Sequence, residues 1–172
     1  SVQTRITTPK GDLHFQEFLV RDNSSDDVLN ITFSGIEKAK PTKRVIEAIK
    51  KAKVIIICPS NPIVSIGTIL SLNGIRECIK KSNAKKIAIS PIINGQPVKG
   101  PADKMMKALG LKVSAFSIAN MYKDFLDIFI IDKLDIKEKN KIEKLGLKVK
   151  VTNILMNEYK DKIQLAKFTL ED

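Results

Sequence analysis

Lys53-Val-Ile-Ile-Ile-Cys-Pro-Ser-Asn-Pro-Ile-Val-Ser-Ile-Gly67 decides how the rest of the chain reads. From Val54 to Cys58 every residue is apolar and most are β-branched, in a run far too short to cross a membrane. Such a run reads as a strand buried on both faces, as in a parallel sheet covered by helices. It breaks at once into Pro59-Ser60-Asn61-Pro62, and so dense a pair of prolines continues neither a central strand nor a helix. Ser60 and Asn61 are therefore expected in a stiff turn at the carboxyl end of a buried strand, where open α/β sheets place their ligands. With Pro62, Ser65 and Gly67 they form a corner of small and hydroxyl-bearing residues, a composition that suits phosphate. The same residues also suit an ordinary strand-to-helix loop. The Lys of a Walker loop and the three glycines of a dinucleotide fingerprint are both missing, so chemistry alone leaves the two readings open.

A second corner of this kind follows. Lys85-Lys-Ile-Ala-Ile-Ser90 reads as the next buried strand and runs into Pro91-Ile-Ile-Asn-Gly-Gln-Pro-Val-Lys-Gly-Pro101. There Ser90, Gly95 and Gly100 offer a hydroxyl and backbone N–H groups, and Lys99 a point charge. In a parallel sheet the two corners would lie side by side.

Around this pair the remaining elements fall into an alternating order. Thr4–Thr8 and Leu13–Val20 read as a hairpin about a Pro9–Asp12 turn, and Val28–Phe33 as a strand. On that reading Gln16 and Glu17 point to opposite faces. Pro41 opens a helix to about Lys51 with Val45, Ile46 and Ile49 as its buried stripe. Ile69–Lys81 is helical with a break near Asn73-Gly74. A helix from Pro101 to Leu109 turns Met105, Met106 and Leu109 to the core and ends at Gly110. Ala115–Tyr122 is a helix, Phe129–Ile131 a strand, Lys137–Leu145 a charged helix, Lys148–Thr152 a strand and Met156–Leu170 a closing helix. Asp124 and Asp127 precede the strand that Asp132 follows, which argues against one metal shared by all three. The expectation is an α/β fold: a Rossmann-like, mainly parallel sheet with helices on both faces, preceded by a β-hairpin-like segment. Residues 1–172 form one domain or part of one.

Composition narrows the class. At 172 residues, 43% hydrophobic and 28% charged, the chain is of ordinary globular make-up. No signal-peptide pattern or membrane-length run occurs, so a cytoplasmic location is expected, without membrane association. Cys58 and Cys78 are the only cysteines and do not form a metal-ligand spacing. The net charge of +11 raises a basic nucleic-acid-binding module as one alternative. Against it, the lysines are dispersed, and aromatic residues make up 5% with no Trp, few platforms for stacked bases. The surplus does favour a small anionic ligand.

Three blocks carry a resemblance. Cys58-Pro-Ser-Asn-Pro-Ile-Val-Ser-Ile-Gly67, His14-Phe-Gln-Glu-Phe18 and Ser90-Pro-Ile-Ile-Asn-Gly-Gln-Pro-Val-Lys-Gly-Pro101 resemble segments of the 2-phospho-L-lactate transferase family, which makes the deazaflavin coenzyme F(420). A fourth segment, Tyr122–Asp132, resembles that family's Y-x-D-[LF]-[LI]-D-x-F-[VI]-[IL]-D block. Phe18 stands where the family commonly has Tyr, and Asn94 where it has Gly. The resemblance implies transfer of a phospholactyl or phosphoenolpyruvyl group: the ribityl hydroxyl of the deazaflavin Fo attacks the β-phosphorus of a guanosine diphosphate-linked donor, and GMP leaves. It also implies magnesium, a homo-oligomer, and a preceding half with a glycine-rich nucleotide loop and an N-T-G-D-D metal segment, neither of which this sequence contains. The chain is accordingly expected to be the carboxyl-terminal portion, inactive without that half and without metal ligands of its own. Ser60, Asn61, Pro62, Ser65, Gly67, Ser90, Gly95, Lys99 and Gly100 are the expected nucleotide-binding residues. His14, the single histidine, is a candidate base with a structural role as the commoner reading; Gln16 and Glu17 are candidates for the deazaflavin or for structure. A nucleotide or nucleotide-sugar binding regulatory protein of the same fold is the other alternative.

Overall fold

A computed structural model describes residues 1–171. Its core is a four-stranded, all-parallel sheet in the order β4-β5-β8-β9, formed by β4 (Val54–Ile57), β5 (Lys85–Ile89), β8 (Ile128–Asp132) and β9 (Lys148–Thr152). Before it lies a three-stranded antiparallel sheet in which β1 (Gln3–Thr8) sits between β2 (Gly11–His14) and β3 (Asn30–Ser34).

The parallel sheet has two unequal faces. On one, Ile57, Ala88, Phe129, Ile131 and Val149 join the main core with Ile6 and Phe18 of the amino-terminal segment. The helices on this side are α1 (Lys43–Lys51), α2 (Ile66–Leu70), α3 (Ile75–Lys81), α4 (Ala102–Ala108), α5 (Ala115–Tyr122) and α6 (Lys139–Glu143). On the other, Ile87, Ile89, Ile128 and Ile130 pack with Ile154 and Leu165, the latter from α7 (Tyr159–Leu170). Helices thus lie on both faces, as the alternating pattern requires.

Several elements end differently from their sequence reading. The second strand stops at His14 because the chain coils into a π-helical turn, Glu17–Arg21. The Glu17 carboxylate accepts the His14 N–H at 2.8 Å, and His14 Nδ1 accepts the Gln16 N–H at 3.1 Å. These local bonds outcompete strand pairing, so Gln16 and Glu17 do not alternate across a sheet, and Phe18 is driven into the core. β4 is also not buried on both faces. It is an edge strand, with Val54 37% and Ile56 39% exposed, and Cys58 is exposed as well. Thr42 caps α1 by accepting the Val45 N–H, which places Pro41 ahead of the helix. Ile46 and Ile49 touch the core, whereas Val45 lies outward. Met105 and Met106 are fully buried as expected, but Leu109 at the end of α4 is exposed.

Candidate functional site

Beyond β4 the chain turns in a corner held by Asn61. Its Oδ1 accepts the N–H groups of Ile63 and Val64 at 2.9 and 3.2 Å, an Asx turn that launches the segment leading to α2. Its Nδ2 donates to Met105 Sδ at 3.2 Å. Every polar atom of this side chain is therefore engaged within the protein. Ser60 and Ser65 are half-buried beside it, and neither hydroxyl has a hydrogen-bond partner among the described residues.

The second corner is built by a hairpin. Asn94 and Gly95 both have positive φ, 48° and 73°, and join β6 (Ile92–Ile93) to β7 (Gln96–Pro97). An Asn-Gly pair is the sequence favoured for such a two-residue turn. The Asp135 carboxylate accepts the Asn94 N–H through both oxygens, at 3.0 and 3.2 Å. Burial pushes the Asp135 carboxyl up from its ordinary range; the Asn94 N–H opposes this, and Glu138 and Asp132 add to it. Folding back on itself, the hairpin lets Val98 N–H donate to the Pro91 carbonyl at 3.0 Å, which lays Val98–Pro101 beside the first corner.

The result is a cleft of about 360 Å³. Pro59, Ser60, Asn61, Val64 and Ser65 form one wall, and Pro91 with Val98–Ala102 the facing one. Phe15 and Leu19, from the π-helical turn and the residues leading into it, close one side. Lys99 is exposed at the rim and makes no ion pair among the described residues. The surroundings are chiefly apolar, with two free hydroxyls and one ammonium. A flat heterocycle can slide between such walls while an anionic group meets the lysine.

Not all of the expected residues meet there. Ser60, Asn61, Ser65, Lys99 and Gly100 line the cleft, whereas Pro62, Gly67, Ser90 and Gly95 do not. Ser90 is fully buried, its hydroxyl accepting the Ile92 N–H and donating to the Ile92 carbonyl. Gly67 is a packing residue: a Cβ there would stand 2.8 Å from the Pro62 carbonyl oxygen. Gly95 serves the hairpin turn. His14, Gln16 and Glu17 lie outside the lining, and His14 and Glu17 are occupied in shaping the turn after β2. The block to which they belong contributes Phe15 and Leu19 instead. Their spacing of four, with Phe18 between, is a helical signal inside what reads as a strand. Val64 and Val98 were likewise absent from the sequence expectation; the Asn94-Gly95 pair was the signal that would have folded Val98 back.

Among the described residues no group of three or more His, Cys, Asp or Glu side chains could hold a metal ion. The aspartates of the Tyr122–Asp132 block have other partners. Asp124 pairs with Arg76, Asp127 accepts the Lys86 N–H, and Asp132 accepts the N–H groups of Leu134 and Ile154. Both cysteines are free, and no described helix is long and apolar enough to cross a membrane.

Residues 1–163 match the family described as 2-phospho-L-lactate transferase CofD. The 2-phospho-L-lactate transferase of Methanosarcina acetivorans is 41% identical over 98% of this chain and 54% of its own length. That of Methanocaldococcus jannaschii is 42% identical over 92% of this chain and 50% of its length. The phosphoenolpyruvate transferase of Kitasatospora aureofaciens is 38% identical over 96% and 53%. The chain thus spans about half the length of the curated relatives it matches. In fold it resembles a crystal structure of a Bacillus halodurans protein of the upf0052 family, with a TM-score of 0.65 at 18% identity over 99% of this chain and 59% of that one.

Proposed function

The chain belongs to the 2-phospho-L-lactate transferase CofD family, and from that premise we propose that it supplies one wall of the substrate site of an F(420)-forming transferase. The enzyme moves a phospholactyl or phosphoenolpyruvyl group from a guanosine diphosphate-linked donor to the deazaflavin Fo, with release of GMP. The half of the relatives' length that this chain does not span completes the site and carries any divalent metal.

One observation supports the reading most directly: the Ser60–Ser65 corner and the Lys99–Gly100 corner line a single cleft. Within it Phe15, Val64 and Val98 sandwich a planar base or deazaflavin ring. Lys99 meets a phosphate oxygen, and the Ser60 and Ser65 hydroxyls take two further polar contacts. The contribution of this chain is positioning and charge neutralisation, the terms on which phosphoryl transfer chiefly depends. Asn61 acts indirectly by holding the corner.

Titration of guanosine diphosphate and of Fo against the chain tests this, alone and together with the unmatched half of the Methanosarcina acetivorans relative. Lys99→Ala is expected to weaken the phosphate-bearing ligand by about 1.5–3 kcal/mol, the range of a charge-assisted hydrogen bond. Unchanged affinity removes Lys99 from the site. Tighter binding of a uridine diphosphate sugar than of guanosine diphosphate overturns the substrate assignment.

A further inference from the structure

In sequence the lysines are dispersed, but the parallel sheet gathers two of their runs. α1 leads into β4 and α3 into β5, so both helices run against the strands and end at the same edge of the sheet. The Ser82 hydroxyl donates to the Ile49 carbonyl at 3.1 Å, which holds the ends of the two helices together. The Lys85 N–H donates to the Lys53 carbonyl at 3.0 Å and aligns the segments that follow. Lys50, Lys51 and Lys53 thereby come to lie on one side with Lys80 and Lys81, all exposed. A groove of about 390 Å³ runs between the helices, with Lys50 on its α1 wall and Lys81 and Asn83 at the end of its α3 wall.

Structural duty does not account for this charge. Lys50, Lys51, Lys80 and Lys81 sit in last turns, where cations suit the helix dipole. Lys43 and Arg44, however, occupy the first turn of α1, which holds no acidic residue, and there the same dipole opposes them. Neither they nor the five lysines at the helix ends make an ion pair or a side-chain hydrogen bond among the described residues. Arg76 and Lys86 close by do, with Asp124 and Asp127. Glu47 and Glu77 are the only carboxylates on the two helices, and they leave the face strongly positive. Unpaired like charges held this close repel one another, a cost that a polyanion would relieve.

We propose that this face, made by α1, α3 and the groove between them, binds the phosphate backbone of a nucleic-acid duplex without reading its sequence. α1 is about 14 Å long and packed helices stand about 8–10 Å apart, so the cations are spread over a span that meets several successive phosphates. Neither helix carries an aromatic residue, and a single strand would find no base-stacking platform there. Ile46 and Ile49 turn to the core, which leaves too little apolar surface to enter a bilayer. Charge without aromatic or apolar surface is the pattern of backbone contact. The face is built on the helices that precede β4 and β5, whereas the cleft lies beyond the carboxyl ends of those strands. The inference therefore stands apart from the transfer reading, and its test measures association and not activity.

The full chain is titrated into a fluorescently labelled duplex of mixed sequence, and anisotropy is read from about 50 to about 200 mM salt. Binding near about 1 μM is expected at the lower salt, with log K falling against log salt at a slope of about −4 to −6. Lys50→Gln together with Lys81→Gln weakens it by about tenfold or more and makes the slope shallower by about two. Lys43→Gln also weakens binding, without lowering the thermal midpoint, because it removes a cation from the unfavourable end of its helix. Lys162→Gln together with Lys167→Gln is the charge-matched control: both sites are exposed on α7, which covers the other face of the sheet, and binding stays within about twofold. Circular dichroism confirms that each variant is folded. Absence of binding at the lower salt, or equal weakening by the two double variants, which would leave only the overall charge of the chain, overturns the proposal. So does tighter binding of a single strand, or of phosphatidylglycerol vesicles, than of the duplex.

Discussion

Asn61 reaches Met105: the carboxamide nitrogen donates to the sulfur at 3.2 Å and ties the corner after β4 to the buried side of α4. Both walls of the cleft descend from these two elements, so the bond joins the parts of the site that lie far apart in sequence. The oxygen of the same carboxamide holds the turn itself. Asn61→Ala frees the Ile63 and Val64 N–H groups in a half-buried place and is expected to cost about 1–3 kcal/mol of stability. Asn61→Asp keeps both acceptor bonds and falls between alanine and the parent. Thermal unfolding of the three chains checks the order, and an alanine variant as stable as the parent would refute it.

Gly67 sets two effects against each other. Alanine is better than glycine inside a helix by about 1 kcal/mol. At this position its Cβ would stand 2.8 Å from the Pro62 carbonyl oxygen, a backbone atom that cannot swing aside. Forcing bulk into so close a contact costs about 1–3 kcal/mol, so the clash wins. Gly67→Ala is expected to lower the urea midpoint, and a raised midpoint would show that the corner has room to relax.

Lys104 acts as an internal clamp. From α4 its ammonium donates to the Ser24, Ser25 and Asp26 carbonyls at 2.6, 2.8 and 3.1 Å. The loop it grips includes Asn23 and Ser24 at φ 46° and 53°, a left-handed pair that local preferences alone do not favour. Lys104→Met leaves three carbonyls to water and is expected to cost about 1–2 kcal/mol. Hydrogen exchange over residues 22–27 should quicken in the variant more than exchange in β5 or β8. A uniform change would mean that the clamp has no local role.

Two carboxylates shift in opposite directions and give opposite pH signatures. The hydrogen bond from Arg76 holds the Asp124 carboxyl below its usual range. Its contribution is present above the unfolded-state value of about 3.9 and lost as pH falls through the lowered one. The deficit of Asp124→Asn, about 1 kcal/mol for a half-exposed pair, is therefore largest near neutrality and shrinks toward about pH 3. Burial raises Asp135, so the folded state binds that proton more tightly and gains stability as pH falls. Asp135→Asn should consequently improve relative to the parent as pH rises from about 4 to 7. Denaturant midpoints across this range check both slopes.

How much of the site could be read in advance depends on what each residue reports. Ser60 and Lys99 were legible because a proline-rich corner after an apolar run marks a strand's carboxyl end, and parallel pairing sets such ends side by side. Gly67, Ser90 and Gly95 share the composition of ligand-binding residues, yet they serve a close contact, a buried hydroxyl turn and a hairpin. A residue type suited to anions suits tight turns equally well, and only the neighbours tell them apart. Phe15 and Leu19 were hidden because alternation and helical spacing cannot be separated in so short a run.

By itself the sequence determined the alternation of strands and helices that builds the central sheet, the parallel character of that sheet and membership of the family, since these follow from apolar periodicity, turn residues and contiguous motifs. Tertiary structure alone decided that Val54 and Ile56 face water, that the His14–Phe18 block coils away from its hairpin and that Phe15 and Leu19 close the cleft between the two corners. The physical reason is that an apolar run records the burial a strand is built for, whereas exposure depends on which partners lie against it. Among the described residues β4 has no strand on its outer side.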